Sequence, residues 1–411
     1  MSATISSAST AAAESTLNAP ASSRVVSLDI FRGLIMVVMA LDHTRDYFTN
    51  LRFEPETLAR TWAALFFTRW ITHFCAPMFF FLAGTGAFFY GRRRTPAELS
   101  QFLWTRGLWL IVLEFTVVGT GWSFQIPFGF FGVIWALGAC MVLLAAVVRL
   151  PIRWVTVVSV GMILTHNLLD PIRPAQFGSL AWLWNILHAR GGVLLPFQIR
   201  EFVLFPLIPL LGVMGAGYAF GQLYLLESER RKKLLLAMGS LLIAAFILLR
   251  LTNVYGNPPV GQGGVSQGDF HIQPTLEKSV ILFFDVEKYP TSLQFLLMTL
   301  GPSFLLLGWL DKSYPPRGLG PLHIFGRVPM FFYILHIYLI HTLAVVVALF
   351  HRESVGWLFR GAFFGEVPDG YGYNLPFVYL MWIVAVGLLY FPCRWFAELK
   401  QRRKDWWLSY L

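Results

Sequence analysis

Apolar residues along this chain come in long unbroken runs rather than at the three-to-four-residue spacing of a helix with one wet face. Ten such runs stand at approximately 27–48, 61–90, 99–119, 125–149, 154–170, 196–224, 233–251, 291–310, 321–350 and 376–397. A helix needs about 20 residues to cross the hydrocarbon of a bilayer, so each run predicts a transmembrane helix. The run after Leu150 is short and closes at His166, Asp170 and Pro171. The predicted fold is all-α, a polytopic transmembrane helix bundle of about 10 spans. Order is expected to begin near Arg24, with Ser27 and Asp29 as N-cap and first-turn residues of the first helix. Residues 1–23 are nearly all Ser, Ala and Thr and read as a disordered tail, without the charged start and apolar core of a signal peptide. Residues 24–411 read as a single transmembrane domain. The longest connection, about 252–290, is rich in Gly, Pro and Gln and is expected to fold over one mouth of the bundle.

Composition strengthens this picture and narrows the chemistry. Hydrophobic residues make up 56% of the 411 and charged residues only 13%, against about 25% charged in a soluble domain. A water-soluble enzyme is excluded, and so is disorder over most of the length. Cys75, Cys140 and Cys393 stand too far apart for a zinc site or a disulfide framework, so no metal is expected. The net charge of +10 does not imply nucleic acid, because the cations sit in short clusters between apolar runs. The densest clusters, Arg92–Arg94, Arg230–Lys233 and the cations from Arg394 to Lys404, fall on one side if the helices alternate. Both termini are therefore expected to be cytoplasmic, with the lipid bilayer as the first partner.

The few charges inside the runs carry the functional signal. On the first helix Arg32 and His43 are eleven residues apart, which brings them within about 20° of one face and separates them by roughly 16 Å along the axis. Asp29, one turn before Arg32, can pair with it, and Gly33 lets a second helix approach closely. On the second helix Arg69, His73 and Pro77 share a face at four-residue spacing, and Pro77 is expected to kink the helix. The ninth helix offers Arg327 near its start, then Tyr333 and His336 one turn apart, with His341 about 140° around from His336 and expected at the outer interface. Glu114 on the third helix is a candidate to neutralise Arg69 or to orient a histidine. Two layers emerge. Arg32, Arg106 and Arg327 form a cytoplasmic layer suited to phosphates, which arginines bind bidentately. Asp42, His43, Arg69, His73 and His336 form an outer layer suited to acid–base work.

The segment Ser27–Gly33, reading SLDIFRG, together with the Arg32-x10-His43 spacing, resembles integral-membrane acyltransferases, and more specifically bacterial relatives of heparan-α-glucosaminide N-acetyltransferase. Stretches 61–85, 205–221, 289–302 and 325–341 have the look of the same group. The resemblance implies a single acyltransferase-like domain over 24–411 that moves an acetyl group from cytoplasmic acetyl-CoA to an amino or hydroxyl group of a sugar or envelope glycan across the membrane. It also implies a bacterial cytoplasmic membrane as the location. Carried onto this chain, the resemblance matches Arg32 to the first-helix arginine and His43 to the spaced histidine; with the two layers above, His43, Asp42 and His73 are the catalytic candidates. Arg32, Arg106 and Arg327 are the candidates for the donor's phosphates, and Arg69, Glu114, Tyr333 and His336 for the acceptor. The family's catalytic histidine between the first two helices has no counterpart in 44–68, so the base role passes to His43 or His73. A transporter or flippase for a lipid-linked sugar or small anion is the alternative, since buried Arg and His also suit a proton-coupled path. Assembly as a homo-oligomer is left open.

Overall fold

A computed structural model describes residues 25–125, 131–194, 200–258, 266–311, 318–360, 367–403, 405 and 407–408; the expected tail, residues 1–23, lies outside them. Helix α1, Val26–Phe48, opens at Val25, which makes no side-chain cap, and Ser27 is buried within the first turn rather than capping it. The second run is broken. Helix α2, Ala63–Trp70, passes through a 3-10 turn, Ile71–Phe74, into α3, Cys75–Gly91. Pro77 has no N–H for the carbonyl of His73, so the turn ahead of it tightens where the sequence predicts a kink. Helix α4, Pro96–Leu113, starts on a capping box between Thr95 and Glu98 and runs through a π-turn at Glu114–Val118 into α5, Gly119–Ser123. Then come α6, Val133–Val147, α7, Ile152–Thr165, and α8, Ala181–Leu187.

Two features depart from the expected run boundaries. Residues at the start of the predicted 196–224 helix instead form half of a hairpin. Strands β1, Gly191–Leu194, and β2, Arg200–Val203, pair antiparallel with Gly191 opposite Val203, and α9 spans only Leu207–Phe220, after Pro206. The 252–290 connection contains a helix of its own, as the elements after α9 show: α10, Ser228–Thr252, α11, Leu276–Phe284, and α12, Leu293–Leu310. The ninth run is divided at Val328, whose φ of −130° and ψ of 50° leave the helical region ahead of Pro329. Helix α13, Gly320–Arg327, precedes that break, α14, Pro329–Phe350, follows it, and α15, Leu375–Arg402, closes the bundle.

Among the described residues, eight helical segments are long and apolar enough to cross a membrane: 63–91, 96–123, 152–169, 207–225, 228–252, 293–310, 329–350 and 375–402. The other two predicted runs are helices as well, but α1 carries Asp29, Arg32, Asp42, Arg45 and Asp46, and α6 has only 15 residues. The charges on α1 are housed by protein, because this helix packs against α3, α13, α14 and α15 at once. Its tightest neighbour is α13. A Cβ on Gly33 would run into the carbonyl of Leu322, and one on Gly326 into the carbonyl of Asp29. Only glycine at both positions allows the two backbones to meet.

One buried side chain ties the segments on both sides of α11 together. Arg250 is 0% exposed and donates to the carbonyls of Gly268, Leu282, Phe283 and Asp285. Leu282 and Phe283 sit in the last turn of α11, where a cation also complements the helix dipole. The neighbouring Asp285 carboxyl accepts the Gln267 N–H at 2.9 Å, yet burial outweighs that bond and pushes its pKa up to about 8 from 3.8. A raised carboxyl pKa gives stability that is complete below the unfolded value and is lost as pH rises through the folded one. The melting temperature is therefore expected to fall as pH climbs from 3.8 to about 8 and to level off above that, and Asp285→Asn to flatten the fall. A pH–melting profile identical in the variant would refute the assignment.

Candidate functional site

The C-terminal half of α1 places Asp42, His43, Arg45 and Asp46 within two helical turns. They line one wall of a cavity of about 810 Å³, which Arg69 and Thr72 of the broken second helix, Glu114, Tyr333 and the loop residues Glu56 and Lys288 help enclose. The cavity reaches inward to Met39 and Phe79 and is walled at its other end by loop residues 51–56 and by Val367 and Tyr371. Its mouth is thus at the end of α1 opposite Arg32.

Ion pairs organise one side of this cavity. Arg69 donates to Asp42 at 2.5 Å and to Glu56 at 3.0 Å, while Arg45 donates to Asp46 at 2.7 Å and to Asp42 at 3.2 Å. The partner foreseen for Arg69, Glu114, is engaged elsewhere. Glu114 accepts the Trp135 N–H at 2.7 Å and so caps the first turn of α6 from the neighbouring helix. Gly132 leaves the room, since a Cβ there would lie 2.7 Å from a Glu114 oxygen. Glu56 takes the place given to Glu114. Burial raises its pKa, but Arg69 and the His73 contact outweigh burial and hold it well below 4.5. His73 is 2% exposed, its Nε2 3.4 Å from Glu56, and does not line the cavity. Arg69 and His73 do share a face, as the spacing predicts, but that face is turned to Glu56.

His43 is oriented by His336 and not by the adjacent Asp42. The Asp42 carboxylate is taken up by Arg69 and Arg45, and the hydrogen bond to His43 comes from His336 on α14, with Nδ1 of His43 2.7 Å from Nε2 of His336. Nδ1 of His336 lies 3.2 Å from the Phe332 carbonyl. A carbonyl can only accept, so the His336 proton sits on Nδ1 and its Nε2 is bare. That nitrogen must then accept from Nδ1–H of His43. The remaining nitrogen of His43, Nε2, carries the lone pair, and among the described residues no hydrogen bond occupies it. Tyr333 stands beside this pair with its ring 5.3 Å from that of His336 and also lines the cavity. His341, expected at the outer interface, is instead 0% exposed. It is 2.9 Å from the Gly121 carbonyl and stacks on Tyr47 and Phe124.

The three arginines of the expected cytoplasmic layer occupy different surroundings. Arg32 pairs with Asp29 at 3.0 Å and donates to the Gly326 carbonyl at 3.0 Å, at the junction of α1 and α13. Arg327, next to that carbonyl, reaches the Ala397 carbonyl of α15. Arg106 belongs to α4, which packs on α6, with its guanidinium 5.7 Å from the Phe102 ring. Two contributors escaped the sequence pattern altogether. Glu56 and Lys288 lie in loops, where no periodicity assigns a face, and each stands among other charged residues that give it no distinguishing mark.

A helical membrane protein with its ionisable residues gathered round one cavity is the class that this fold and site define. More narrowly, residues 24–250, over half of the chain, match the family model of the catalytic domain of heparan-alpha-glucosaminide N-acetyltransferase, and the chain belongs to that family of membrane acyltransferases. No curated protein matches it.

Proposed function

We propose that the protein transfers an acetyl group from acetyl-CoA to an amino or hydroxyl group of a sugar or envelope glycan, with His43 as general base. The observation that carries this reading is the hydrogen-bonded chain from the Phe332 carbonyl through His336 to His43, which leaves Nε2 of His43 as an unoccupied base on the cavity wall. On this reading the acceptor enters beside loop residues 51–56, which line the cavity, and the donor's thioester arm reaches it from the opposite end, where Met39 and Phe79 line it. Nε2 takes the acceptor's proton as its nitrogen or oxygen attacks the thioester carbonyl carbon. The tetrahedral oxyanion then collapses, the carbon–sulfur bond breaks, and the proton passes from His43 to the departing CoA thiolate. On this scheme the hydroxyl of Tyr333, a residue that also lines the cavity, donates to the developing oxyanion.

On this scheme His336 is a positioning residue that selects the His43 tautomer. His336→Leu removes the acceptor for Nδ1–H and is expected to lower kcat by about a hundredfold with KM little changed, a size typical of general-base effects. His336→Gln, whose side-chain oxygen can accept the same proton, should recover part of the loss. The assay is transfer of radiolabelled acetyl from acetyl-CoA to glucosamine by protein in nanodiscs. Equal activity of the two variants would refute the tautomer role, and no transfer to any amino or hydroxyl sugar by the wild type would refute the reaction.

A further inference from the structure

One cation on the cavity wall makes no ion pair among the described residues, although the Asp42 carboxylate lies near enough to feel its charge. Lys288 is 7% exposed and lines the cavity. Among the described residues no carboxylate lies within ion-pair distance of its Nζ and no side-chain hydrogen bond engages it. Four of the five carboxylates that line the cavity have partners, and the fifth, Glu54, is exposed in the loop. Asp42 and Asp46 are paired with Arg45, Asp42 and Glu56 with Arg69, and Glu114 with the Trp135 N–H. Arg52, at the mouth, is held by the carbonyls of Thr49 and Tyr371. The ring of Tyr289 lies 5.0 Å from Nζ of Lys288 and 5.7 Å from the Arg190 guanidinium, so two cations flank one aromatic wall of the cavity. A buried ammonium is costly unless something pairs it, and here the open side is the cavity.

We infer that Lys288, with Arg190 behind it, is the subsite for an anionic group, carboxylate or phosphate, on the acceptor. The inference rests on the acetyl-transfer reading for the word acceptor, while the anion site itself does not require transfer. It places the acid group at the Tyr289 wall and the nucleophile at His43, so the preferred substrates are acidic sugars rather than neutral ones. Arg190 adds field to the subsite, and Lys288 supplies the direct contact.

Binding and turnover separate the two propositions. With purified protein in nanodiscs, calorimetric titration of glucosamine 6-phosphate is expected to show at least tenfold tighter binding than glucosamine, the size of one charge-assisted hydrogen bond. Lys288→Met should erase that preference and Lys288→Arg retain it, with binding of neutral glucosamine and of CoA unchanged in both. Wild-type protein that binds the two sugars equally, or binds neither, overturns the inference. So does a Lys288→Met variant that keeps the preference, or one that loses CoA affinity in parallel, since the cation would then serve the donor's phosphates. Preferential binding that depends on Lys288 in a protein with no acetyl transfer supports the anion site and refutes only the transfer reaction.

Discussion

His43→Ala is expected to lower acetyl transfer by a factor of about 10² to 10⁴, the range lost with a general base, while leaving CoA binding and expression near those of the wild type. The reasoning is local. His43 lines the cavity, its Nδ1 is engaged by His336, and its Nε2 is the unoccupied nitrogen. The competing candidate, His73, is buried against Glu56 away from the cavity wall. His73→Ala should therefore act mainly on stability, with kcat of the folded fraction kept within a fewfold. Single-turnover assays on both variants make the comparison. A transferring His43→Ala protein, or a His73→Ala protein that is folded and inactive, reverses the assignment.

The largest effect on stability is expected at Arg69. Its guanidinium bridges Asp42 of α1 and Glu56 of the following loop, and the side chains involved are 11%, 14% and 4% exposed. Removing one partner of a buried ion pair typically costs 3–5 kcal/mol, because the other charge is left desolvated and unpaired. Arg69→Met leaves the Glu56 carboxylate without its principal cation and Asp42 with Arg45 alone, so unfolding in nanodiscs should shift by about that amount. Neutralising the stranded acid, in Arg69→Met with Glu56→Gln, should restore a substantial part. The sign with pH follows from Glu56. Its folded pKa is depressed, so its contribution is present above the ordinary value of 4.5 and disappears as pH falls through the folded value. A wild-type protein that gains stability as pH falls below 4.5, or a double variant no better than Arg69→Met, contradicts the bridge.

The sequence makes the bundle legible because hydrocarbon imposes a length on each apolar run, and ten runs correspond to ten regions of helix. What it misses is where backbone chemistry interrupts a run. Pro206, Pro329 and Pro77 each shift, split or tighten a helix inside a stretch whose hydropathy hardly changes. The α1 face with Arg32 and His43 is legible from helical periodicity, and so is the nearness of Tyr333 to His336. The pairing of His43 with His336, and the choice of Glu56 over Glu114 for Arg69, are tertiary facts. Asp42 adjoins His43 in sequence but leaves the helix in another direction, towards Arg69. Lys288 shows the limit most plainly: one lysine in a connecting loop carries no periodic signal, and only the folded chain reveals that its side chain is buried and, among the described residues, without an ion pair.

The hydrogen bond between His43 and His336 spans 293 residues of chain. During synthesis the first of these helices enters the membrane long before the second exists; at about 5–20 residues per second the interval is roughly 15–60 s. For that time the nascent chain carries the base without the residue that sets its tautomer, and without the α13 backbone that grips Arg32 through Gly326. On the proposed mechanism, competence to transfer is therefore acquired late, when α14 joins the bundle. A chain halted before that point would hold His43 in the membrane with its proton unassigned.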